Sequence, residues 1–230
     1  MEKIAIVFCL HGNEKYGAEV VAKLPASHSC FFANERALKE NVRFIDEDMN
    51  RVFPGKVDGN HEEKLAFELK SKLKAFDCVL DLHSSSNYCP LFGIVTDPTI
   101  EQIRFAKRLG LKKLVVISGK FVKGVALIDH VKCGLSLEIG PHDGHGNVEE
   151  VLELIGNLDS NIDVPMEIFE LEEYIVKESD DVILRNFCEV RKGDLIEKNR
   201  ISEKDFVPVL VNEEAYSGIL CLACRKVGII

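Results

Sequence analysis

Apolar and polar positions follow two patterns along the chain, and the pattern changes near residue 160. In the first part, short apolar runs alternate with segments whose apolar residues recur at helical spacing. The runs predict strands at 3–10, 28–33, 77–82, 91–96, 113–117 and 133–139, and the periodic segments predict helices at 14–24, 60–75, 98–110 and 146–158. This alternation is typical of a layered α/β domain with a largely parallel or mixed sheet.

One predicted helix start has a specific local signal. Asp97 precedes Pro98, and aspartate is a good N-cap while proline favours the first helical position. We therefore expect the helix at 98–110 to begin at Pro98, with Asp97 as its cap.

The chain after about Val164 has a different texture. Short apolar runs lie at 169–176, 182–190, 206–210 and 216–227, separated by turn residues such as Arg191-Lys192-Gly193-Asp194. This part contains no amphipathic helical pattern. We therefore predict two domains, an α/β domain at 1–163 and a small all-β domain at 164–230.

The composition excludes several classes of protein. With 230 residues, 46% hydrophobic and 29% charged, the chain fits an ordinary globular protein. It has no apolar run of the roughly 20 residues that a membrane span needs, and no recognisable secretory signal. A net charge of −9 argues against general nucleic-acid binding. Eight cysteines without a repeated C-x-x-C pattern predict reduced thiols and a cytoplasmic location.

A histidine and a glutamate follow directly after the first predicted strand. His11 and Glu14 lie three residues apart, and His83 ends the strand-like run at 78–82 in the same way. Imidazole nitrogen and carboxylate oxygen are good Zn²⁺ ligands, and ligands of α/β sheets bind outside the carboxyl ends of strands. The placement therefore favours a hydrolytic zinc site. From the residues alone an alternative stays open, in which His11 caps a turn and Glu14 opens a helix.

A series of short motifs resembles one known family. In chain order they are His11-Gly12-Asn13-Glu14, Asn34-Glu35-Arg36-Ala37, Arg43-Phe44-Ile45-Asp46-Glu47-Asp48-Met49-Asn50-Arg51, Asp81-Leu82-His83, Leu137-Glu138-Ile139-Gly140-Pro141 and Val211-Asn212-Glu213-Glu214-Ala215-Tyr216. They are similar to motifs of the aspartoacylase and succinylglutamate desuccinylase family, relatives of the zinc carboxypeptidases. The resemblance implies a zinc carboxypeptidase-like three-layer domain with a mixed sheet, and a β-rich C-terminal domain that closes over the active site.

The resemblance also implies a catalytic centre. By position in the motifs, His11, Glu14 and His83 match the ligands of one zinc ion. Glu138 matches the carboxylate that activates the attacking water, and Arg43 matches the arginine that polarises the scissile carbonyl. Taken alone, Glu138 fits a surface carboxylate at the end of a strand better than a catalytic group, and the resemblance reverses this preference.

Three further residues match substrate contacts of the family. Asn50 and Arg51 correspond to the pair that holds a substrate carboxylate, and Tyr216 corresponds to a tyrosine from the C-terminal domain. Without the motif, Arg43 and Arg51 fit a solvated charge cluster with the acidic residues at 46–48, and Asn50 fits a turn. Asp81 lies two residues before His83, which makes it a candidate partner for the histidine ring or a turn residue.

Two departures from the family bear on the substrate. Only 68 residues lie between Glu14 and His83, so insertions that narrow the substrate channel of larger relatives are absent. Aspartoacylases place an arginine about ten residues before the catalytic glutamate to grip the aspartate moiety. Here Ile128 stands at that distance and Lys132 is the nearest basic residue. An aspartate leaving group therefore does not follow from the resemblance.

The sequence thus predicts a cytoplasmic, zinc-dependent amidohydrolase that cleaves an N-acyl amino acid, a small-molecule substrate. No G-x-S-x-G motif near Ser84 supports a serine hydrolase. Two alternatives stay open: a small zinc carboxypeptidase acting on peptides, and a non-catalytic binding protein that has kept the fold. Nucleic acid and membrane are not expected partners, and a homo-oligomer is left open.

Overall fold

The computed structural model describes residues 2–121, 124–142, 147–160 and 164–230. The strands in these ranges are β1 (Ile4–Phe8), β2 (Ser29–Phe32), β3 (Cys78–Ser84), β4 (Phe92–Thr96), β5 (Lys113–Ile117), β6 (Gly134–Ile139), β7 (Glu167–Val176), β8 (Leu195–Glu197), β9 (Arg200–Ile201), β10 (Val207–Val209) and β11 (Ile219–Ile229). The helices are α1 (Tyr16–Lys23), α2 (Glu35–Glu40), α3 (His61–Leu73), α4 (Ile100–Leu109) and α5 (Asn147–Gly156). Short 3-10 turns lie at Met49–Arg51, Leu127–His130, Asn157–Asp159 and Glu214–Tyr216.

One large sheet runs through the described chain, in the order β10-β11-β7-β5-β4-β6-β3-β1-β2. Strand β1 is parallel to both β2 and β3, and β3 is parallel to β6. Strand β4 is antiparallel to β6 but parallel to β5, which is parallel to β7. Strand β11 is antiparallel to both of its neighbours. The predicted mixed sheet is confirmed.

Helices cover both faces of the first part of this sheet, because its strands bury apolar side chains on each side. On one face, Leu80 and Leu135 pack with Val20 of α1, Phe105 of α4 and Val151 of α5. On the other, the strand residues Val7 and Val79 pack with Ala66 and Leu69 of α3 and with Phe53. The result is the three-layer arrangement that the sequence predicted.

The C-terminal strands continue the same sheet. Strand β7 pairs with β5 in parallel, and β11 and β10 follow outward from it, while β8 and β9 form a separate small hairpin. Apolar side chains of β11 are buried on both sides, with Leu222 and Cys224 in one cluster and Leu220 and Ala223 in another. Residue 163, the predicted domain boundary, lies outside the described residues, and the two-domain division stays a prediction.

The start of α4 differs from its prediction. Thr99 is the N-cap, since its side chain accepts from Gln102 N at 3.3 Å while the Gln102 side chain accepts from Thr99 N at 2.9 Å. Asp97 instead accepts from Gly119 N at 2.7 Å and has a positive φ of 40°. Asp97 therefore fixes the turn after β4 against the end of β5, and its assignment as the cap was wrong.

The parallel strands β1, β3 and β6 bring the predicted site together. In the registers of these strands, Phe8 stands opposite Leu82 and His83 stands opposite Glu138. The loop after β1 therefore leaves the sheet at the same edge where β3 and β6 end. None of the helices in the described residues combines the length and the apolar character needed to cross a bilayer.

Candidate metal centre and substrate cleft

His11, Glu14 and His83 converge at the carboxyl edge of the sheet. One potential ligand atom from each lies within 4.8 Å of the other two, and the residues are only 2%, 2% and 3% exposed. The Nδ1 atom of His11 is 2.7 Å from Glu14 Oε1, and the Nδ1 atom of His83 is 3.1 Å from Glu14 Oε2. Glu14 Oε2 also accepts from Ser84 N at 3.0 Å, which fixes the carboxylate in place.

The far ring nitrogen of each histidine faces another carboxylate. His11 Nε2 lies 3.0 Å from Asp48 Oδ1, and His83 Nε2 lies 2.7 Å from Asp81 Oδ2. Arg43 Nη2 also lies 3.0 Å from His11 Nε2. An ionised carboxylate only accepts, so in the tautomer in which each Nε2 donates to its aspartate, the Nδ1 lone pairs are directed at Glu14. In that tautomer three acceptor groups point at one another, and a cation between them would satisfy all three. The donor set therefore fits a metal ion.

Electrostatics favour an ionised glutamate in this cluster. Burial by itself raises the pKa of Glu14, but His11 and His83 outweigh burial and hold this pKa well below its usual range. For His83, burial lowers the pKa, whereas Asp81 and Glu14 outweigh it and hold it well above the usual range. Because a metal needs an ionised carboxylate and neutral imidazoles, its binding would release the second proton that the raised pKa of His83 favours.

Glu138 lines the same cleft from the neighbouring strand. It is partly exposed, and among the described residues none donates a hydrogen bond to its carboxylate. Burial, reinforced by the charges of Glu14 and Glu213 and opposed by His83 and Arg43, raises the pKa of Glu138 to about 8. Within the described part of the chain the carboxyl group thus has no hydrogen-bond donor, and it lines the cleft, where a proton-transfer group has to lie.

Arg43 reaches the centre from the loop after α2. Its Nε and Nη2 atoms donate to Asp48 Oδ2 at 3.1 and 3.0 Å, and its Nη1 atom lies 3.2 Å from Glu14 Oε1. Burial lowers the pKa of Arg43, but Asp48 and Glu14 outweigh it and raise this pKa above its usual value. The pairing with Asp48 that the sequence left open does occur, and it lies inside the cleft.

Gly12 sets how closely the loop after β1 approaches α2. Its N–H donates to Arg43 O at 3.1 Å, and a Cβ at this position would lie 2.1 Å from the carbonyl carbon of Ala37. Only glycine avoids this contact. The loop that carries His11 and Glu14 is therefore pressed against the helix that precedes Arg43.

The three predicted substrate residues lie together at the mouth of the cleft. Arg51 Nη2 is 3.2 Å from Tyr216 Oη, and the Arg51 guanidinium carbon lies 5.7 Å from the centroid of the tyrosine ring. Asn50 Oδ1 accepts from Leu127 N at 2.9 Å, so its amide orientation is fixed. Tyr216, from the C-terminal segment, therefore contacts Arg51 across the cleft.

Two acidic residues near the centre were not singled out from the sequence. Asp48 links His11 to Arg43, and Glu213, 7% exposed, lines the cleft and accepts from Ser86 N at 2.8 Å. Both lie inside motifs that were quoted for the resemblance. A run of three consecutive acidic residues at 46–48 does not show which member turns inward, so the three-dimensional contacts are needed to identify Asp48.

A mostly parallel sheet with a buried His-Glu-His set, a free carboxylate and an arginine at its carboxyl edge defines an α/β protein with a candidate hydrolytic metal centre. Residues 1–150 match the model of a family described as "Succinylglutamate desuccinylase/Aspartoacylase catalytic domain". The chain belongs to this family, which confirms the resemblance seen in the motifs.

Individual relatives are more distant. A protein of Acaryochloris marina named "Probable aspartoacylase" is 35% identical over 106 residues, covering 37% of this chain and 36% of its own. The "N-acyl-aromatic-L-amino acid amidohydrolase (carboxylate-forming) B" of Danio rerio is 27% identical over 184 residues. The match covers 66% of this chain and 58% of the Danio rerio protein. The chain thus spans roughly a third to three fifths of the length of the curated relatives it matches.

Solved structures show the same fold. The crystal structure of murine aminoacylase 3 superposes with a TM-score of 0.77 at 20% sequence identity, covering 100% of this chain and 96% of the murine one. The succinylglutamate desuccinylase structure from Vibrio parahaemolyticus gives a TM-score of 0.72 at 17% identity. The superposition covers 99% of this chain and 82% of the Vibrio chain. The predicted carboxypeptidase-like α/β class is therefore confirmed.

Proposed function

We propose that this protein is a zinc-dependent amidohydrolase that cleaves an N-acyl amino acid into a carboxylate and an amine. The observation that carries the proposal is the convergence of the Nδ1 atoms of His11 and His83 on the carboxylate of Glu14. The Nε2 atom of each ring is within hydrogen-bond distance of a second carboxylate, Asp48 or Asp81. The name of the Danio rerio relative describes amide hydrolysis of N-acyl amino acids, which supports this reaction class.

His11, Glu14 and His83 would hold the zinc ion. When bound, zinc lowers the pKa of a coordinated water toward about 7 and polarises the substrate carbonyl. The buried position of the three side chains suits a tightly held ion, and the ring orientation is already fixed by hydrogen bonds.

Glu138 is the proposed general base and acid. Its carboxylate would accept a proton from the attacking water and deliver it to the leaving nitrogen. This assignment rests on its place opposite His83 in the sheet and on its having no hydrogen-bond donor among the described residues.

Arg43 is the proposed electrophilic residue. Asp48 holds its guanidinium at two atoms, so the side chain is oriented before substrate arrives. A fixed cation near the reacting carbonyl stabilises the negative charge that develops on its oxygen.

Arg51 and Tyr216, with Asn50, are the proposed site for the substrate carboxylate. A guanidinium presents a planar fork that matches a carboxylate, and the tyrosine contact orients that fork toward the cleft. Asn50, whose oxygen is already engaged, would contribute through its amide nitrogen.

The charges around the cleft favour an amino acid with one carboxylate over aspartate. Ile128, at the position where a second arginine is expected, is 5% exposed, and Lys132 pairs with Asp77 at the amino end of β3, away from the cleft. A second substrate carboxylate would find no further unpaired cation among the described residues of the cleft and would meet Glu213 instead.

The test combines metal analysis with a matched pair of variants. The wild type is expected to hold one zinc per chain and to hydrolyse N-acetyl-leucine or N-acetyl-phenylalanine better than N-acetyl-aspartate. Glu138→Gln is expected to keep its zinc and lose about 10²–10⁴ of kcat, the usual contribution of a general base. Glu101→Gln, on the exposed face of α4, is the control and should behave as wild type.

Each alternative has a distinct outcome in this test. Efficient cleavage of dipeptides in preference to N-acetyl amino acids would instead make the protein a small carboxypeptidase. A chain that takes up no zinc would support a binding protein that kept the fold. Full activity of Glu138→Gln would overturn the role of that residue.

A cytoplasmic location forms part of the proposal. All eight cysteines are free thiols and six of them are buried, which suits a reducing compartment. Fractionation with compartment markers tests it, and recovery from an oxidising compartment with disulfides formed would contradict it.

A further inference from the structure

Glu62, in the first turn of α3, is a fully buried carboxylate that the proposed mechanism does not use. It is 0% exposed, and within the described part of the chain no lysine or arginine forms an ion pair with it. Burying a carboxylate without a cation is costly unless hydrogen bonds replace the lost water. The local environment therefore has to supply donors.

Four neutral N–H groups supply these hydrogen bonds. Oε1 accepts from Asn34 Nδ2 at 2.9 Å and from Ile45 N at 2.8 Å, and Oε2 accepts from Asp46 N at 3.0 Å and Glu47 N at 3.2 Å. Burial raises the pKa of Glu62, but these donors outweigh it and lower the pKa below its usual value. The ionised side chain thus gathers three successive backbone amides around itself.

The segment that Glu62 holds leads directly into Asp48. That carboxylate receives Arg43 at two atoms, lies 3.0 Å from His11 Nε2 and accepts from Asn50 N at 2.9 Å. A shift in the backbone at 45–47 would therefore move the one side chain that orients a proposed metal ligand and the proposed electrophilic arginine together.

The other end of the Glu62 network reaches the loop of the metal ligands. Asn34, which donates to Glu62, also caps α2 by accepting from Ala37 N at 3.1 Å. Helix α2 in turn packs against Gly12, between His11 and Glu14. The buried carboxylate thus connects both segments that build the centre.

We propose that Glu62 is a positioning residue of the metal centre, which acts through the backbone at 45–47 on Asp48 and so on His11 and Arg43. The proposal deepens the function given above and rests on it for the nature of the centre. It predicts that loss of the Glu62 carboxylate lowers zinc affinity and kcat even though Glu62 touches neither metal nor substrate.

Glu197 provides a matched control, because it is a second fully buried carboxylate in another part of the fold. It is 0% exposed, accepts from Glu178 N and Ser179 N, both at 2.9 Å, and pairs with Arg200 at 2.7 Å. Its contacts within the described ranges lie around the β8–β9 hairpin, and none of them is with a residue of the cleft. Replacing it removes buried hydrogen bonds without touching the Asp48 network.

The experiment measures zinc affinity by chelator competition, steady-state kinetics and thermal unfolding for Glu62→Gln and Glu197→Gln. Both variants are expected to unfold at lower temperature than wild type. Only Glu62→Gln should bind zinc more weakly, by about 10- to 100-fold as for other residues that orient a metal ligand. With zinc saturating, it should also show a lower kcat, because Arg43 acts on the reacting carbonyl. Should Glu62→Gln fail to fold, Glu62→Asp keeps the charge on a shorter side chain and should show the same losses in smaller measure.

A double-mutant cycle with Asp48→Asn tests the route of action. If Glu62 acts through Asp48, the double variant Glu62→Gln, Asp48→Asn should bind zinc about as weakly as the weaker single variant. The proposal would be overturned if the two single losses of zinc affinity multiplied in the double variant. It would also be overturned if Glu62→Gln had native zinc affinity and native kcat. Equal losses of zinc affinity in Glu62→Gln and Glu197→Gln would reduce it to a general effect of stability.

The wild type separates this proposal from the proposed function. A chain that binds zinc but hydrolyses no N-acyl amino acid would refute the activity, while the zinc-affinity cycle would still decide the role of Glu62. A wild-type chain with no affinity for zinc would refute both.

Discussion

The contact between Arg51 and Tyr216 yields a quantitative prediction about substrate affinity. If Arg51 binds the substrate carboxylate, Arg51→Gln removes a hydrogen bond to a charged group, which contributes about 1.5–3 kcal/mol. Arg51 is exposed, so water screens its charge and the lower end applies. A loss of about 1.5 kcal/mol corresponds to a rise in KM of roughly tenfold.

Tyr216→Phe should have a smaller effect in the same direction. It removes the hydroxyl that lies 3.2 Å from Arg51 Nη2 but keeps the ring 5.7 Å from the guanidinium. One hydrogen bond contributes about 0.5–1.5 kcal/mol, and the lower end applies beside the exposed Arg51, so KM should rise about 2- to 3-fold. Because neither side chain touches the reacting carbonyl in the proposed mechanism, kcat should change little in both variants.

The assay uses steady-state kinetics on a pair of substrates that differ only in the carboxylate. With an N-acetyl amino acid, the order of KM should be wild type, then Tyr216→Phe, then Arg51→Gln. With the matching carboxamide, which has no negative charge, the three proteins should have similar KM values. A fall in kcat at constant KM, or an equal loss with the carboxamide, would refute the assignment.

Three further predictions concern the metal centre and the fold. Asp81→Asn weakens the partner of His83 and should lower zinc affinity about 10- to 100-fold in chelator competition; an unchanged affinity would contradict the role of Asp81. Gly12→Ala places a Cβ 2.1 Å from the backbone of α2 and should cost about 1–3 kcal/mol in urea unfolding, whereas Gly156→Ala, with nothing within 4 Å, should cost nothing. Burial opposes ionisation of Glu197, but its salt bridge and backbone hydrogen bonds outweigh burial and lower its pKa. The carboxylate therefore stabilises the fold fully above its unfolded pKa of about 4.3, and this contribution is lost as the pH falls through the lower folded pKa. The free energies of unfolding of wild type and Glu197→Gln should accordingly differ most near neutral pH and converge in acid, and a pH-independent difference would refute this account.

The first part of the sheet could be predicted from sequence because its strands are buried on both faces. Such strands appear as continuous apolar runs, and the run at 113–117 coincides with β5. The convergence of His11, Glu14 and His83 follows from the same pattern, since parallel strands end at one edge. Roles for Asn50, Arg51 and Tyr216, by contrast, came from the motifs alone and stay predictions.

Features that depend on contacts distant in sequence could not be predicted. Helix α2 has only six residues, too few to show a period, and Asn34 caps it. The inward turn of Asp48 depends on His11, 37 residues earlier, and the burial of Glu62 depends on amides 15 to 17 residues earlier. Apolar runs after 164 predicted strands, but they do not reveal that β7 joins β5 in the main sheet.

The charges of the centre provide a physical argument for a divalent ion that is independent of the family. Glu14, Asp48, Asp81 and Glu138 surround the two imidazoles, while Arg43 is the cation paired within the same group. With neutral rings, four carboxylates and one guanidinium leave a formal charge of −3 in a site where little water screens it. Protons on the rings or on Glu138 relieve part of this excess, but a proton on Nδ1 removes a lone pair aimed at Glu14. A divalent cation relieves two charges while all three acceptors remain engaged, so the carboxylates that orient the histidines also supply the field that holds the ion.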